Sequence, residues 1–282
     1  MIKKSSISQF ILVLVLTVIA AAWIFPLLWI LATSFKSEGE IISGVSLLWP
    51  HNPTLDTYDS ALFDRNFADQ MPVLRWFANS MLVASAYTLV MLFVSSMAAF
   101  AYARLEFRGR KVLFYLLLAT MMVPQAVTLV PLYKMMVVFG WVNTYWALIL
   151  PGVANVFAVF LLRQFMLGIP KDYDEAARID GAGVFSIYFR IIMPLVRPAL
   201  IVAGLFVFLM NWNDFLWPTI ITNDVAMRTL PAGLRLLQGF LLTQYGKLAV
   251  ASVISAVPVL IIFLFARQFF TKGLALSAGV KG

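Results

Sequence analysis

Residues able to do chemistry are sparse in this chain, and their densest grouping is Glu175-Ala-Ala-Arg-Ile-Asp180-Gly181-Ala182. Pro170 precedes a predicted helix start, and Asp172, Asp174 and Glu175 then fall in its first turn, where the helix dipole favours carboxylates. Arg178 lies four residues after Asp174 and three after Glu175, so both pairs can meet on one face. Gly181 suits a left-handed helix end. A second short helix is expected from about Val184 to Pro194, because Phe185, Tyr188, Phe189 and Ile192 fall at i, i+3, i+4 and i+7. The chemistry of such a unit is docking. Small residues at Ala176, Ala177 and Ala182 let another backbone come close beside charged side chains. A helix resting on a membrane surface favours Lys, Arg and bulky apolar residues instead.

Turnover chemistry has little to work with. There is one histidine, His51, and no cysteine. A Ser/His/Asp set, a thiolate nucleophile and a histidine or cysteine metal cluster are therefore not expected. No Gly-Lys-Ser/Thr loop is present to cradle a nucleotide phosphate, so no nucleotide site is expected on this chain. No catalytic residue, bound cofactor or metal is expected here. Four polar residues lie within or at the ends of apolar segments: Asn155, Asn211, Asn213 and Asp214. Lipid cannot satisfy them, so they should face protein or water. They could hydrogen-bond a hydroxyl-rich solute or bridge neighbouring helices. Proton- and sodium-coupled carriers show ionisable groups at mid-membrane; here the nearest acid, Asp214, sits near a segment end.

The elements that must position these residues follow from composition. Hydrophobic residues make up 62% of the chain and charged ones 12%, against about a quarter charged in soluble domains. Too little polar surface is left for water to be the main solvent. Six apolar segments, at 10–33, 77–103, 112–133, 141–162, 198–217 and 248–266, each approach the roughly 20 residues that a spanning helix needs. The first continues past Ala20-Ala21-Ala22 through Trp29, longer than a signal-peptide core, so it is expected as an uncleaved span. With the N-terminus inside, fourteen of the 21 Lys and Arg residues fall in inside segments and seven outside. That bias places both termini in the cytoplasm, with the cluster Arg104 to Lys111 as the strongest anchor. It also assigns the net charge of +8 to topology rather than to nucleic acid. The expected fold is an all-α membrane protein with six transmembrane helices, both termini cytoplasmic, and a cytoplasmic helix–glycine–helix loop at 163–197. Its parts are a cytoplasmic N-terminus (1–9), a first transmembrane helix (10–33), an extracytoplasmic loop (34–76) with short helical pieces, a five-helix core (77–270) including loop 163–197, and a cytoplasmic tail (271–282).

Glu175-Ala-Ala-x-x-Asp180-Gly181-Ala182, with Ile191, Pro194 and Pro198 downstream, resembles the EAA loop of membrane subunits of binding-protein-dependent ATP-binding-cassette importers. Asn211-Trp-Asn-Asp-Phe-Leu-Trp217-Pro218, Thr229-Leu-Pro-Ala-Gly233-Leu, Phe270-Thr-Lys-Gly273 and Gly279-Val-Lys-Gly282 resemble the carbohydrate-uptake branch, in particular its maltose-type smaller permease. The resemblance runs from about the second span to the last residue. It implies that loop 163–197 holds a coupling helix seated in an ATPase subunit, through Glu175, Ala176, Ala177, Arg178, Asp180, Gly181, Ala182 and Pro194. It implies that Thr229, Leu230, Pro231, Ala232 and Gly233 meet an extracytoplasmic solute-binding protein. It implies that the tail, with Lys272, Gly273, Gly279 and Lys281, reaches the ATPase. The implied complex is two different permeases, two ATPase copies that carry ATP and Mg, and one binding protein, in a bacterial or archaeal cytoplasmic (inner) membrane. The competing readings are a stand-alone secondary carrier or channel, which would work without an ATPase, and a membrane scaffold, which would move no solute. The sugar itself stays open.

Overall fold

A computed structural model describes residues 6–44, 46, 48–63, 71–238 and 244–278. The described residues are helical, with no strand among them. They form two units. One comprises residues 1–74 with 233–257, the other 75–232 with 258–282.

The first unit is led by the helix Ser6–Ser34. The most apolar 18-residue window of its stretch Gln9–Ser34 has mean hydropathy 2.8 and none of that window is buried, whereas Ala32, Thr33 and Ser34 at its end are. A helix apolar on every side has no single core-facing stripe and suits lipid or another apolar neighbour. The following loop is a folded cap. Glu38–Ser43 is a short helix opened by the Ser37 side chain, which accepts the N–H of Glu40, and closed by Gly44 at φ 65°. The Ser34 hydroxyl meets Tyr58 Oη at 2.8 Å, and Thr57 Oγ1 donates to the Lys36 carbonyl at 2.9 Å. Glu38 accepts the N–H groups of Tyr245 and Gly246, both at 3.0 Å. It thereby satisfies two of the free donors that open the helix Tyr245–Ala278 with a charge the helix dipole favours.

The second unit is built on Val73–Arg104, a helix of 32 residues with mean hydropathy 1.9. Around it, three apolar segments are bent. Arg110–Met122 meets Gln125–Val138 at 98°, Tyr145–Gly152 meets Val156–Leu167 at 46°, and Val184–Leu195 meets Arg197–Trp212 at 76°. Among the described residues three helices are long and apolar enough to cross a membrane, or up to six if each bent pair is one span. The breaks have local causes. Pro124 caps Gln125–Val138, and Pro151 sits in a 3-10 turn at Leu150–Gly152. The expected segment 198–217 also ends early. Its helix stops at Trp212, and Leu216–Ile221 forms a separate short helix.

One core cluster gathers Ala99, Phe100 and Ala103 with Leu162, Met166, Ala177, Tyr188, Ile192 and Ala199. Small residues allow the helices to close on one another. A Cβ on Gly204 would stand 3.0 Å from Leu92 Cδ1. The expected stripe over 184–194 is corrected. Residues Ile187–Ile192 form a π-helix, whose bonds run i to i+5. The wider turn buries Ile187, Tyr188 and Ile192 and leaves Phe185 and Phe189 67% and 52% exposed. Pro194 does not stop this helix; it lies in the last turn, Met193–Leu195.

Candidate functional site: a docking loop and a polar cavity

The helix Asp172–Ile179 carries Asp172, Asp174 and Glu175 in its first turn. It ends as its residues dictate. Gly181 adopts φ 79°, the Ala182 N–H reaches the Ala177 carbonyl at 2.9 Å and the Gly181 N–H reaches Arg178 at 3.0 Å. This doubled closure uses a left-handed residue that glycine adopts at no steric cost. One face turns inward, with Ala177 in the core cluster and Asp174 buried. Glu175, Ala176, Arg178, Asp180 and Gly181 are exposed, Ala182 is half-buried, and Pro194 is exposed in the following helix. Ile179 is 87% exposed at the tip. It is an apolar knob between charged neighbours that motif reading passed over.

The predicted pairing of Asp174 with Arg178 is corrected. Asp174 Oδ2 instead meets Arg104 Nη1 at 3.2 Å, with both side chains buried. Arg104 Nη2 also donates to the carbonyls of Met166 at 2.6 Å and Ile169 at 2.8 Å. These carbonyls close the helix Val156–Leu167, where a cation complements the dipole. One guanidinium, at the end of Val73–Arg104, therefore ties the helix Asp172–Ile179 to the end of Val156–Leu167. Its planar fork suits it to that task better than a lysine. Sequence reading used Arg104 only as a topology marker; its lone position at the end of a long apolar run, followed by Arg108, Arg110 and Lys111, was the available signal. Nearby, the Arg163 guanidinium lies 4.1 Å from the Phe114 ring centroid, a cation–π contact. Behind the loop the Tyr188 hydroxyl meets Ser96 Oγ at 2.7 Å, so its burial leaves no polar atom stranded.

The second feature of this unit is a cavity of about 420 Å³ whose polar lining includes Tyr87, Gln125, Thr128, Asn155, Asn211 and Asp214. Its apolar lining comes from residues such as Leu132, Val207 and Trp217. No Lys, Arg or His lines it. Asn155 is held by capping: its Oδ1 accepts the Ala158 N–H at 2.9 Å. Tyr87 Oη donates to the Gly152 carbonyl at 2.7 Å. Only glycine fits there, since a Cβ would stand 2.6 Å from that hydroxyl. Asp214 Oδ1 accepts the Leu216 N–H at 3.1 Å, which fixes the turn between the two short helices. The structure thus brings Asn155, Asn211 and Asp214 to one cavity. Asn213 is not among its lining; it is exposed and its Nδ2 bonds back to the Leu209 carbonyl at 2.8 Å. Tyr87, Gln125 and Thr128 are the lining residues that sequence reading missed.

The stretch after this turn is pinned to the long helix. Asn79 Nδ2 donates to the carbonyls of Ala226 and Arg228, each at 2.8 Å, and Trp76 Nε1 donates to Val225 at 2.6 Å. The Leu230 N–H donates to Ser80 Oγ at 2.8 Å. Thr229, Leu230 and Ala232 are consequently buried, Pro231 is half-buried, and Gly233 is buried as well. Lys272 and Gly273 lie in the helix Tyr245–Ala278, their side-chain surroundings outside the described residues. Gly279 and Lys281 lie outside the described residues altogether.

Comparison with known proteins joins these features. Residues 91–273 match the family described as "Binding-protein-dependent transport system inner membrane component". The chain is 36% identical over 285 residues to an arabinooligosaccharides transport system permease of Halalkalibacterium halodurans, covering 99% of each. It is 34% identical to a trehalose/maltose transport system permease of Thermococcus litoralis, again over 99% of each. It is 32% identical to an sn-glycerol-3-phosphate transport system permease of Brucella abortus, over 97% of this chain and 98% of the other. Among solved structures, a chain of a bacterial ABC transporter that imports the acidic polysaccharide alginate superposes with a TM-score of 0.85 at 21% identity, over 95% of this chain and 98% of that one.

Proposed function

Since this chain belongs to the binding-protein-dependent transport system inner membrane component family and is a permease subunit of an ABC importer for a sugar-type solute, we propose that its helix Asp172–Ile179 is the element through which ATP hydrolysis drives it. It is a multi-pass inner membrane protein. The observation that carries the reading is the two-faced character of that helix. Its inner face is locked by the Arg104–Asp174 pair, and its outer face offers Glu175, Ala176, Ile179 and Gly181.

In this reading each bent apolar pair is one span, giving six spans with both termini in the cytoplasm. A second permease completes the path, two ATPase subunits hold ATP and Mg, and Glu175 to Ala182 seat in one of them, with the tail residues Lys272, Gly273, Gly279 and Lys281 reaching the same subunits. Closure of the ATPases moves the docking helix. Arg104 carries the movement to Val73–Arg104 and Val156–Leu167, and the cavity opens to the opposite side. A solute-binding protein meets the outer surface near Pro231, with Thr229, Leu230, Ala232 and Gly233 as the buried footing of that loop.

The cavity supports a neutral, hydroxyl-rich solute. Its amide, hydroxyl and phenol groups suit sugar hydroxyls, its only charge is the Asp214 carboxylate, and it has no cation to offer a phosphate or uronate. Proteoliposomes holding the complete importer should accumulate a neutral oligosaccharide, and a uronate-bearing analogue of equal length should fail to compete. Equal competition would remove the neutral assignment and leave the permease role standing. The coupling role is tested separately. Gly181→Asp and Glu175→Lys should each abolish uptake at normal membrane levels of the protein. Normal uptake in both, or uptake by this chain without any ATPase, would favour a stand-alone carrier.

A further inference from the structure

We propose that a cavity beside Lys36, in the first unit, binds an anionic phospholipid from the surrounding bilayer. The cavity measures about 550 Å³ and has a graded lining. Lys36 and Ser46 stand at one end, and Phe25, Trp29 and Ile30 run away from them along the helix Ser6–Ser34. Lys36 is only 3% exposed. An ammonium carries three donors, and the partner shown for this one is the Ser46 carbonyl, at 2.8 Å. Among the described residues no ion pair involves it. The nearby Glu40 carboxylate is held by the Ser46 hydroxyl and the His51 N–H and acts on Lys36 only through space, without a direct ion pair. A buried cation so placed calls for an anion from outside the chain.

The dimensions specify what bears that anion. Phe25 stands nine residues before Ser34, where the helix Ser6–Ser34 ends just short of Lys36, about 14 Å along a helix. That is close to half of a hydrocarbon core of about 30 Å, the depth of one leaflet. Trp29 and Tyr245 line the same cavity, and amphipathic rings favour the headgroup level. A free phosphate would answer Lys36 and leave the apolar slot empty, whereas a phospholipid fills both, its phosphate on the ammonium and an acyl chain along the helix.

The experiment uses the complete importer, purified in mild detergent from nanodiscs of mixed phosphatidylglycerol and phosphatidylcholine. Native mass spectrometry counts the lipids retained. The wild type should hold phosphatidylglycerol in preference to phosphatidylcholine. Lys36→Met should lower that occupancy roughly tenfold, the scale of one charge-assisted bond, and Lys36→Arg should keep it. Ser252→Phe, which crowds the slot and leaves Lys36 in place, should lower it as well and decides the matter if Lys36→Met fails to assemble. No preference between the two lipids would overturn the proposal. So would occupancy unchanged by these variants, or a cross-link from position 36 to a carboxylate of the second permease.

Discussion

Arg104 and Lys36 are both buried cations, and they solve the problem of burial in opposite ways. Arg104 is paired within its own unit with one carboxylate and two carbonyls through its two terminal nitrogens, while its Nε and the Asp174 Oδ1 are buried without a partner. Lys36 has one carbonyl and faces an apolar cavity. An internal counter-charge makes a rigid joint, which suits a residue that links the helix Asp172–Ile179 to its bundle. A missing one makes a receptor, because the charge must come from elsewhere. The difference follows from the two side chains. A guanidinium can bind a carboxylate and two carbonyls of a helix end at once, while an ammonium is a compact point charge.

The comparison breaks most sharply at Arg104. Arg104→Met strands a buried carboxylate and should cost about 3–5 kcal/mol of stability, as removal of one partner of a buried pair does. Thermal unfolding of the purified importer reads this. The double variant Arg104→Met with Asp174→Leu should recover most of that loss, since apolar replacement of a buried pair is often neutral. It should still leave ATP hydrolysis poorly linked to uptake, because the tie to Met166 and Ile169 is gone. A double variant as unstable as the single would show that the pair is not what holds the joint.

Lys36→Met should behave differently. In lipid-depleted detergent its effect should stay within about 1 kcal/mol, the net value of one ordinary hydrogen bond. The importer should lose the added thermal stability that phosphatidylglycerol confers on the wild type. A loss in detergent as large as that of Arg104→Met would erase the distinction between joint and receptor.

The smallest effect is expected at Glu40. The Ser46 hydroxyl and then the His51 N–H, both bonded to its carboxylate, hold its pKa below the ordinary carboxylate range. Because the folded value is lowered, its contribution is present above the ordinary value and is lost as pH falls through the lowered one. The protection of the His51 amide against hydrogen exchange, relative to its intrinsic rate at each pH, should therefore fall in acid. Glu40→Gln should remove that pH dependence. An acid response that persists in the variant would assign it to another group.

Much of the docking unit was legible from residue types alone. A helix opened by acids and closed at Gly181 follows from local rules, and the structure has it with Gly181 at φ 79°. The apolar segments were equally legible, because lipid demands long runs of one character. Their bends were less so, since Pro124 and Pro151 show where a helix weakens and not by what angle it turns. The stripe over 184–194 failed for a related reason. Helical periodicity assumes 3.6 residues per turn, and the π-helix Ile187–Ile192 departs from it to bring Tyr188 against Ser96 and Phe100. The polar residues at span ends were legible as a set, but not their division into Asn155, Asn211 and Asp214 on a cavity and Asn213 turned back on its own helix.

Sequence by itself determined the solvent, the apolar segments and the helix opened by acids and closed at Gly181. Each of these depends on residue type or on neighbours within a few positions. Tertiary structure alone decided which charges meet. Asp174 has Arg178 one helical turn away, yet it pairs with Arg104, seventy positions distant. In a buried setting the partner that also closes two free carbonyls wins over the nearer one, which can be solvated where it stands.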